Sequence, residues 1–242
     1  MRAETRHQMK EDRFNQVTME AWDYVVEWSS AHRAIVLIAG VILVVVACGA
    51  FGGWYYLDQQ DQSASVLLNQ AVRTMSTDIR PAGMPAQPDF PSFGSLQERA
   101  TEVHKQLEDV VTKYPHTHSA EFAHYLLGTT AVDLGNTSQA ESELQTVSNS
   151  SNDDLAALAK FALASVYRSN NRAKDAIGLY QQIINKPTNS VGKATAQLEL
   201  AATYQENNQP LDAKKTYEQV QKDNPTTPAG QVAVAKLQEL NK

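Results

Sequence analysis

Histidine is the residue type whose spacing in this chain could support chemistry. Four histidines fall within 21 residues, with Glu121 among them: His104, His116, His118 and His124. Imidazole and carboxylate groups that converge on one point can bind a divalent metal ion. However, His116 and His118 lie beside Pro115, in a turn where exposed polar residues are common. The spacing therefore favours surface histidines over a metal site.

Other signs of catalysis or of nucleic-acid binding are absent from the sequence. It contains no glycine-rich phosphate loop, nucleophile elbow, paired-cysteine motif or HExxH helix. The net charge is −6 without a Lys/Arg cluster, whereas nucleic-acid binders neutralise phosphates with a basic face. We therefore predict a protein that is not an enzyme, holds no cofactor or metal, and binds neither nucleic acid nor a small-molecule substrate.

An uncharged run of 24 residues, Ala34 to Leu57, predicts one transmembrane helix. At about 1.5 Å per residue it spans roughly 36 Å, enough for a hydrocarbon core of about 30 Å. Trp28 precedes the run and Trp54 lies near its end, as expected at the two headgroup layers. The alternatives are a core helix, which usually shows a polar side, and a signal peptide, for which the acidic lead of 33 residues is long.

The single cysteine, Cys48, opens a second interpretation of the same run. Val45-Val46-Ala47-Cys48 resembles a bacterial lipobox, in which the cysteine becomes lipidated. The long acidic lead favours an unprocessed anchor, so lipidation of Cys48 is kept as the alternative. Gly49 and Gly53 are spaced as GxxxG, which lets two membrane helices approach closely, and they are candidate packing residues.

The lead and the orientation of the anchor are weakly specified. Close to the run, the leading side offers only Arg33 and the trailing side only Arg73, whereas the whole lead holds five Lys/Arg and favours a cytoplasmic N-terminus. Within this N-terminal segment, 1–33, apolar residues from Phe14 to Trp28 recur at helical spacing. That amphipathic helix either lies in the membrane interface or contacts a partner protein.

Three segments follow the transmembrane helix, 34–57. A juxtamembrane helix, 58–78, carries an apolar stripe from Ala64 to Met75. A loop, 79–94, contains four prolines, a density that helices and ladders do not tolerate. A repeat domain, 95–242, begins with a helix from Leu96 to Tyr114.

The repeat domain contains three units in register, at offsets of 36 and 37 residues. Each unit has a small residue in its first helix, a turn-permitting residue seven positions later and an alanine twelve positions later. These residues are Gly128, Gly135 and Ala140, then Ala164, Asn171 and Ala176, then Ala201, Asn208 and Ala213. This is the tetratricopeptide pattern of paired helices, and Ala229 to Leu240 suits its terminal cap. We predict an all-α fold: a single N-terminal transmembrane helix followed by a tetratricopeptide-like α-solenoid.

The first helices of such units line a concave groove that can bind protein partners. The register gives nine candidate groove positions: Phe122, Tyr125, Thr129, Phe161, Ser165, Arg168, Leu198, Ala202 and Gln205. For some of these residues the alternative is ordinary packing between repeats.

The order of elements resembles the bacterial YfgM-like proteins: an acidic lead, one anchor, the helix YLDQQDQSASVLLNQA, a loop, then KYPHTHSAEFAHYLLGTTAVDLGN. This resemblance implies a single-pass inner-membrane protein with a cytoplasmic N-terminus and a periplasmic repeat domain. It implies as partners the SecYEG translocon, periplasmic chaperones or exported clients. The proline-rich loop departs from the family and leaves open whether the first helix pair packs as it does there.

The stretch that starts at Tyr114-Pro115 also resembles BamD- and CpoB-like envelope proteins. Because BamD-like proteins are lipoproteins, this second resemblance implies the alternative function, a repeat lipoprotein of cell-envelope assembly acylated at Cys48.

Overall fold

The computed structural model describes residues 28, 32–81, 83–84 and 92–240. In that part of the chain the regular elements are α-helices: α1 (Arg33–Met75), α2 (Leu96–Lys113), α3 (His118–Asp133), α4 (Thr137–Val147), α5 (Asp153–Ser169), α6 (Ala173–Asn185), α7 (Lys193–Glu206), α8 (Pro210–Asp223) and α9 (Pro228–Leu240). The chain divides into two compact units, Met1–Tyr56 and Leu57–Lys242. The all-α prediction is confirmed.

The first unit contains the apolar part of α1. An 18-residue window of this helix has a mean hydropathy of 3.0, and none of it is buried. Its length and composition are sufficient to cross a membrane, and a signal sequence meets the same description. The predicted amphipathic helix lies outside the described residues, apart from Trp28.

In the second unit, the last turns of α1 pack against α2, the helix that follows the proline-rich insertion in the chain. Their shared core contains two alanines of α1, three apolar residues of α2 and part of α3: Ala64, Ala71, Val103, Leu107, Val110, Ala123, Leu126 and Leu127. The Thr74 hydroxyl donates a hydrogen bond to Gln106 Oε1 at 2.9 Å. The segment predicted as a juxtamembrane helix is therefore half of a further helix pair that precedes the three units.

Backbone contacts close the insertion between these two helices at its ends. The Arg80 N–H donates to the Phe93 carbonyl at 2.9 Å, and the Phe93 N–H donates to the Asp78 carbonyl at 3.1 Å. The Arg80 guanidinium also donates to the Ser92 carbonyl at 2.8 Å. Three of the four loop prolines, Pro85, Pro88 and Pro91, lie outside the described residues. The closed ends allow α2 to return to α1 despite the added chain.

The three predicted units are the helix pairs α3/α4, α5/α6 and α7/α8. A Cβ placed on Gly128 would lie 2.6 Å from Leu144 Cγ, which explains why this position requires a very small residue. The predicted turn residues Gly135, Asn171 and Asn208 have φ values of 74°, 60° and 57°. This left-handed conformation ends the first helix of each unit and favours Gly or Asn.

The cap α9 is preceded by a turn of the same kind as the turn that precedes α3. In each turn a threonine hydroxyl donates to the carbonyl three residues earlier and accepts from the N–H three residues later. The threonines are Thr117 and Thr227, which cap α3 and α9 respectively. Behind this turn, Ala233 and Leu237 pack against Tyr217 and Val220 of α8. This helix begins one residue earlier than the predicted start of the terminal cap and ends at the predicted residue, Leu240.

We expect the stability of the second unit to fall as the pH rises above about 10, the ordinary pKa of tyrosine. Burial raises the pKa of the Tyr125, Tyr180 and Tyr217 hydroxyls above that value. The unfolded chain therefore ionises first, so this contribution is complete below about pH 10 and is lost as the pH rises through the folded pKa values. Urea midpoints at about pH 8 and about pH 11, on either side of the ordinary tyrosine pKa, measure the effect. A Tyr180→Phe/Tyr217→Phe variant should lose less stability over that interval, and an equal loss would contradict the assignment.

Candidate protein-binding face

The nine predicted groove positions lie on α3, α5 and α7, the first helices of the three units. We call this set the first-helix face, and it comprises Phe122, Tyr125, Thr129, Phe161, Ser165, Arg168, Leu198, Ala202 and Gln205. Helical spacing of three or four residues places the members from one helix on one side of it. The described side chains differ in how much of each reaches solvent.

Two aromatic residues of α3 begin the first-helix face. Phe122 is 36% exposed, and its ring centroid lies 5.9 Å from that of Tyr125 in a tilted arrangement. Tyr125 is half-buried and packs against Val147 and Leu155 at the seam with the second repeat. An exposed aromatic next to a half-buried one suits recognition of an apolar side chain, because rigid rings lose little entropy on binding.

The aromatic residue that α5 contributes to the first-helix face is supported from the second helix of the same repeat. Phe161 packs edge-on against Tyr180 of α6, with ring centroids 5.7 Å apart. Beside it, the Ser165 and Tyr180 hydroxyl oxygens lie 3.4 Å apart, at hydrogen-bond distance. Because Tyr180 is fully buried, its ring fixes the position of Phe161 and its hydroxyl reaches the base of the first-helix face.

Arg168 joins the second and third repeats by ion pairs. Its Nη1 donates to Glu199 Oε2 at 2.6 Å, and its Nε lies 3.5 Å from Glu206 Oε2, both on α7. Burial lowers the pKa of the guanidinium, but the hydrogen bond and the charges of both carboxylates raise it above its ordinary value overall. Arg168 is therefore held in place by two anions instead of extending freely into solvent.

The third repeat contributes less bulk to the first-helix face. Leu198 is half-buried against the core that α7 shares with α8 and α9, whereas Gln205 is exposed. Ala202 adds only a methyl group. This end of the face is therefore flatter and more polar than the end formed by Phe122 and Tyr125.

The structure adds three residues that the sequence interpretation did not include. Tyr180 lies beneath the face, and Glu199 and Glu206 neutralise Arg168. Glu199 and Glu206 stand one residue after Leu198 and Gln205, a spacing that could have indicated them. Whether the nine positions bind a partner stays a prediction, since most of them also serve contacts between helices.

Two of the four clustered histidines, His104 and His124, form separate polar contacts. His124 Nδ1 lies 2.6 Å from Glu143 Oε2, and His104 Nε2 lies 2.9 Å from Gln139 Nε2 and 3.6 Å from Glu108 Oε1. Among the residues that the structure describes, no three His, Cys, Asp or Glu side chains are placed to hold a metal ion.

The predicted membrane residues lie on the exposed surface of α1. Cys48 is a free, exposed thiol. A Cβ on Gly49 or Gly53 would meet no atom within 4 Å. Helix packing through these glycines and lipidation of Cys48 both stay predictions.

Comparisons with known proteins agree with this architecture. Residues 27–187 match a family model described as a tetratricopeptide repeat-like domain, and residues 195–227 match one described as a tetratricopeptide repeat. No curated protein matches the chain.

Two solved structures show the same fold, both of nearly identical TPR-like repeats from a kinesin light chain of Podosopora anserina. The first has a TM-score of 0.56 and 18% identity and covers 74% of this chain and 86% of its own. The second, a substituted form of the same protein, has a TM-score of 0.56 and 17% identity and covers 74% and 85%. At this identity the likeness concerns the fold alone.

Proposed function

The chain belongs to the family of tetratricopeptide repeat-like domains, and from this premise we propose that it is a membrane-anchored, non-enzymatic scaffold for protein partners. The observation that carries the proposal is the first-helix face, where the exposed Phe122 ring stands beside Tyr125. Farther along it, Arg168 is fixed by two carboxylates. An aromatic end and a fixed polar end suit an extended or helical segment of a partner protein.

The proposed anchor is the apolar part of α1. Its 18-residue window has a mean hydropathy of 3.0 and exposes its side chains, which supports a membrane span at 34–57. Five Lys/Arg in the lead, 1–33, support a cytoplasmic N-terminus. In this proposal the protein passes once through the bacterial inner membrane. Residues 58–78, the insertion 79–94 and the repeat domain 95–242 are then periplasmic.

The proposed partners come from the resemblance to YfgM-like proteins, which have the same order of elements. That resemblance, an acidic lead, one anchor and a repeat domain, supports an ancillary role at the SecYEG translocon. There the first-helix face would bind periplasmic chaperones or exported proteins as they leave the channel. In-membrane crosslinking with mass spectrometry tests this role, because it identifies both the neighbour and the side of the bilayer. Crosslinks confined to cytoplasmic proteins would contradict it.

We expect substitution of the first-helix face to reduce partner recovery at least about tenfold, since a few central residues dominate most interfaces. The test variant is Tyr125→Ala/Phe161→Ala/Arg168→Ala in the full chain, measured by co-purification after crosslinking. Because Tyr125 and Phe161 also pack internally, a milder variant, Phe122→Ala/Gln205→Ala, changes only exposed side chains.

The matched control for this test lies away from the first-helix face. Leu211 and Val232 are exposed on α8 and α9, so Leu211→Ala/Val232→Ala removes exposed apolar area without touching α3, α5 or α7. Recovery should remain at the level of the unaltered chain. If the folded face variants and this control recover the partner equally well, the face assignment is wrong.

A second candidate function rests on Cys48, a free thiol exposed on α1. It is the lipoprotein of cell-envelope assembly, cleaved before Cys48 and acylated there. We expect the unprocessed anchor instead, because residues 1–33 carry six acidic side chains, which a signal peptide does not favour. The intact mass of the protein purified from membranes distinguishes the two. A mass equal to that of residues 48–242 plus fatty acids would show that the protein is held by a lipid at Cys48 and not by a transmembrane helix.

A further inference from the structure

A cleft of about 460 Å³ lies between α6, α7 and α8, on residues that do not belong to the first-helix face. Its apolar lining includes Ile184 of α6 together with Leu200 and Tyr204 of α7. A donor from α6, Gln181 Nε2, holds the Tyr204 hydroxyl at 3.4 Å. The volume falls within the range of about 300–1,000 Å³ that is usual for ligand sites. We call this feature the α6–α8 cleft.

An unpaired polar group lines the α6–α8 cleft. Gln197 is only 6% exposed, and its Oε1 has no hydrogen-bond partner. In the part of the chain that the structure describes, no other buried side-chain oxygen or nitrogen lacks one. Leaving a buried acceptor unpaired is destabilising, and native proteins contain few such groups. Gln197 therefore places an unpaired acceptor within the wall of the cleft, where a donor reaches it once the side-chain amide turns toward the cleft.

The first repeat shows how the fold satisfies a polar group at this position. Register aligns Gln197 with His124, and it aligns Thr216 with Glu143. His124 and Glu143 pair at 2.6 Å between α3 and α4. In the third repeat, the Thr216 hydroxyl donates to the Asp212 carbonyl at 2.8 Å instead. The pairing that closes the site in the first repeat is therefore missing beside Gln197.

The rim of the α6–α8 cleft indicates the class of ligand. Asp212 and Lys215, which are three positions apart on α8, both line it. Because one charge of each sign is present, neither a bare cation nor a bare anion is favoured. A carboxamide is neutral, it can donate to Gln197 Oε1, and the apolar residues beside it can pack on Ile184 and Leu200. Because Gln197 is recessed, a side chain reaches it more readily than a main chain does.

We propose that the α6–α8 cleft is a second recognition site, which binds an extended peptide segment of a partner protein through an Asn or Gln side chain that donates to Gln197 Oε1. The site does not depend on the proposed function of the first-helix face. Each site has its own variants, so the failure of one leaves the other standing.

Three capped peptides test the proposal on the full chain in detergent micelles with ¹⁵N-labelled glutamine. They are acetyl-Leu-Gln-Leu-dimethylamide, its near-isosteric Met counterpart and a Lys counterpart, and the dimethylamide cap leaves no terminal carboxamide N–H in any of them. The Gln peptide is expected to shift the Gln197 side-chain amide signal saturably in NMR spectra. It should also bind about tenfold more tightly than the Met peptide, because only the Gln peptide pairs the buried acceptor.

Gln197→Met identifies the signal by its loss and should remove the tenfold preference for the Gln peptide. Phe122→Ala/Gln205→Ala, which changes only the first-helix face, should bind that peptide as the unaltered chain does. Equal binding of the Gln and Met peptides, a preference for the Lys peptide, or no saturable shift would each overturn the proposal. This ranking is measured on the unaltered chain, so it decides the question even where Gln197→Met does not fold.

Discussion

Replacement of Tyr180 by alanine is expected to lower the free energy of unfolding of the second unit by roughly 3–5 kcal/mol, the usual loss for a large buried aromatic. Tyr180 is fully buried, in a core to which α5, α6 and α7 all contribute. Its ring supports Phe161, so the alanine variant loses contacts on both helices of the second repeat and at its seam with α7. A loss of this size is a large part of the roughly 5–15 kcal/mol that stabilises a typical domain.

Urea unfolding of the full chain, followed by far-ultraviolet circular dichroism, measures this loss. Tyr180→Phe keeps the ring and removes only a 3.4 Å contact with Ser165, so it should cost about 1 kcal/mol or less. Leu211→Ala, at a side chain 82% exposed, should stay within about 0.5 kcal/mol of the unaltered chain. A Tyr180→Ala loss no larger than that of Leu211→Ala would show that this core does not bind the repeats together.

Gly230→Ala is expected to destabilise the cap α9 by roughly 3 kcal/mol, at the upper end of the usual cost of overpacking. A Cβ at Gly230 would lie 1.9 Å from the Asn224 carbonyl oxygen. Because that atom belongs to the backbone, the strain is relieved only if the turn before α9 moves. Each element of a repeat array contacts mainly its neighbours, so the damage should concentrate in α9.

Hydrogen exchange of the α9 amides locates this effect, and Gly178→Ala provides the matched control. Gly178 lies inside α6, and an added Cβ there meets no atom within 4 Å. The same substitution should therefore stabilise by about 0.5–1 kcal/mol through helix propensity. If Gly230→Ala leaves the α9 amides as protected as Gly178→Ala does, a side chain at position 230 does not strain the turn before α9.

The sequence alone was sufficient for the regular part of the fold. Small residues, turn residues and alanines at fixed offsets predicted three helix pairs, and the left-handed φ values at Asn171 and Asn208 agree. Whether the helix pair formed by α1 and α2 packs together was left open. Its two apolar stripes are visible in the sequence, but the insertion interrupts the period. In addition, α2 has Val103 at the position that corresponds to Ala140 of α4, where the repeat pattern has a small residue.

The contacts of the sites were less predictable than the helices. Register places Arg168 on the first-helix face, but it does not show that Glu199 and Glu206 hold its guanidinium. Gln197 gave no signal in the sequence, because an unpaired acceptor depends on what every neighbouring side chain fails to supply. Helix periodicity determines to which side of a helix a residue points. Which groups its side chain contacts depends also on the side-chain rotamers of the neighbouring helices.

The backbone contacts between Arg80 and Phe93 have a consequence for engineering. Two hydrogen bonds join the strand-like residues at both ends of the insertion, so the length of chain between them has little influence on how α1 and α2 pack. Each doubling of a flexible loop costs only about 0.6 kcal/mol in closure entropy. A fluorescent reporter placed within the insertion would therefore follow the protein in cells while its termini, the first-helix face and the α6–α8 cleft remain unaltered.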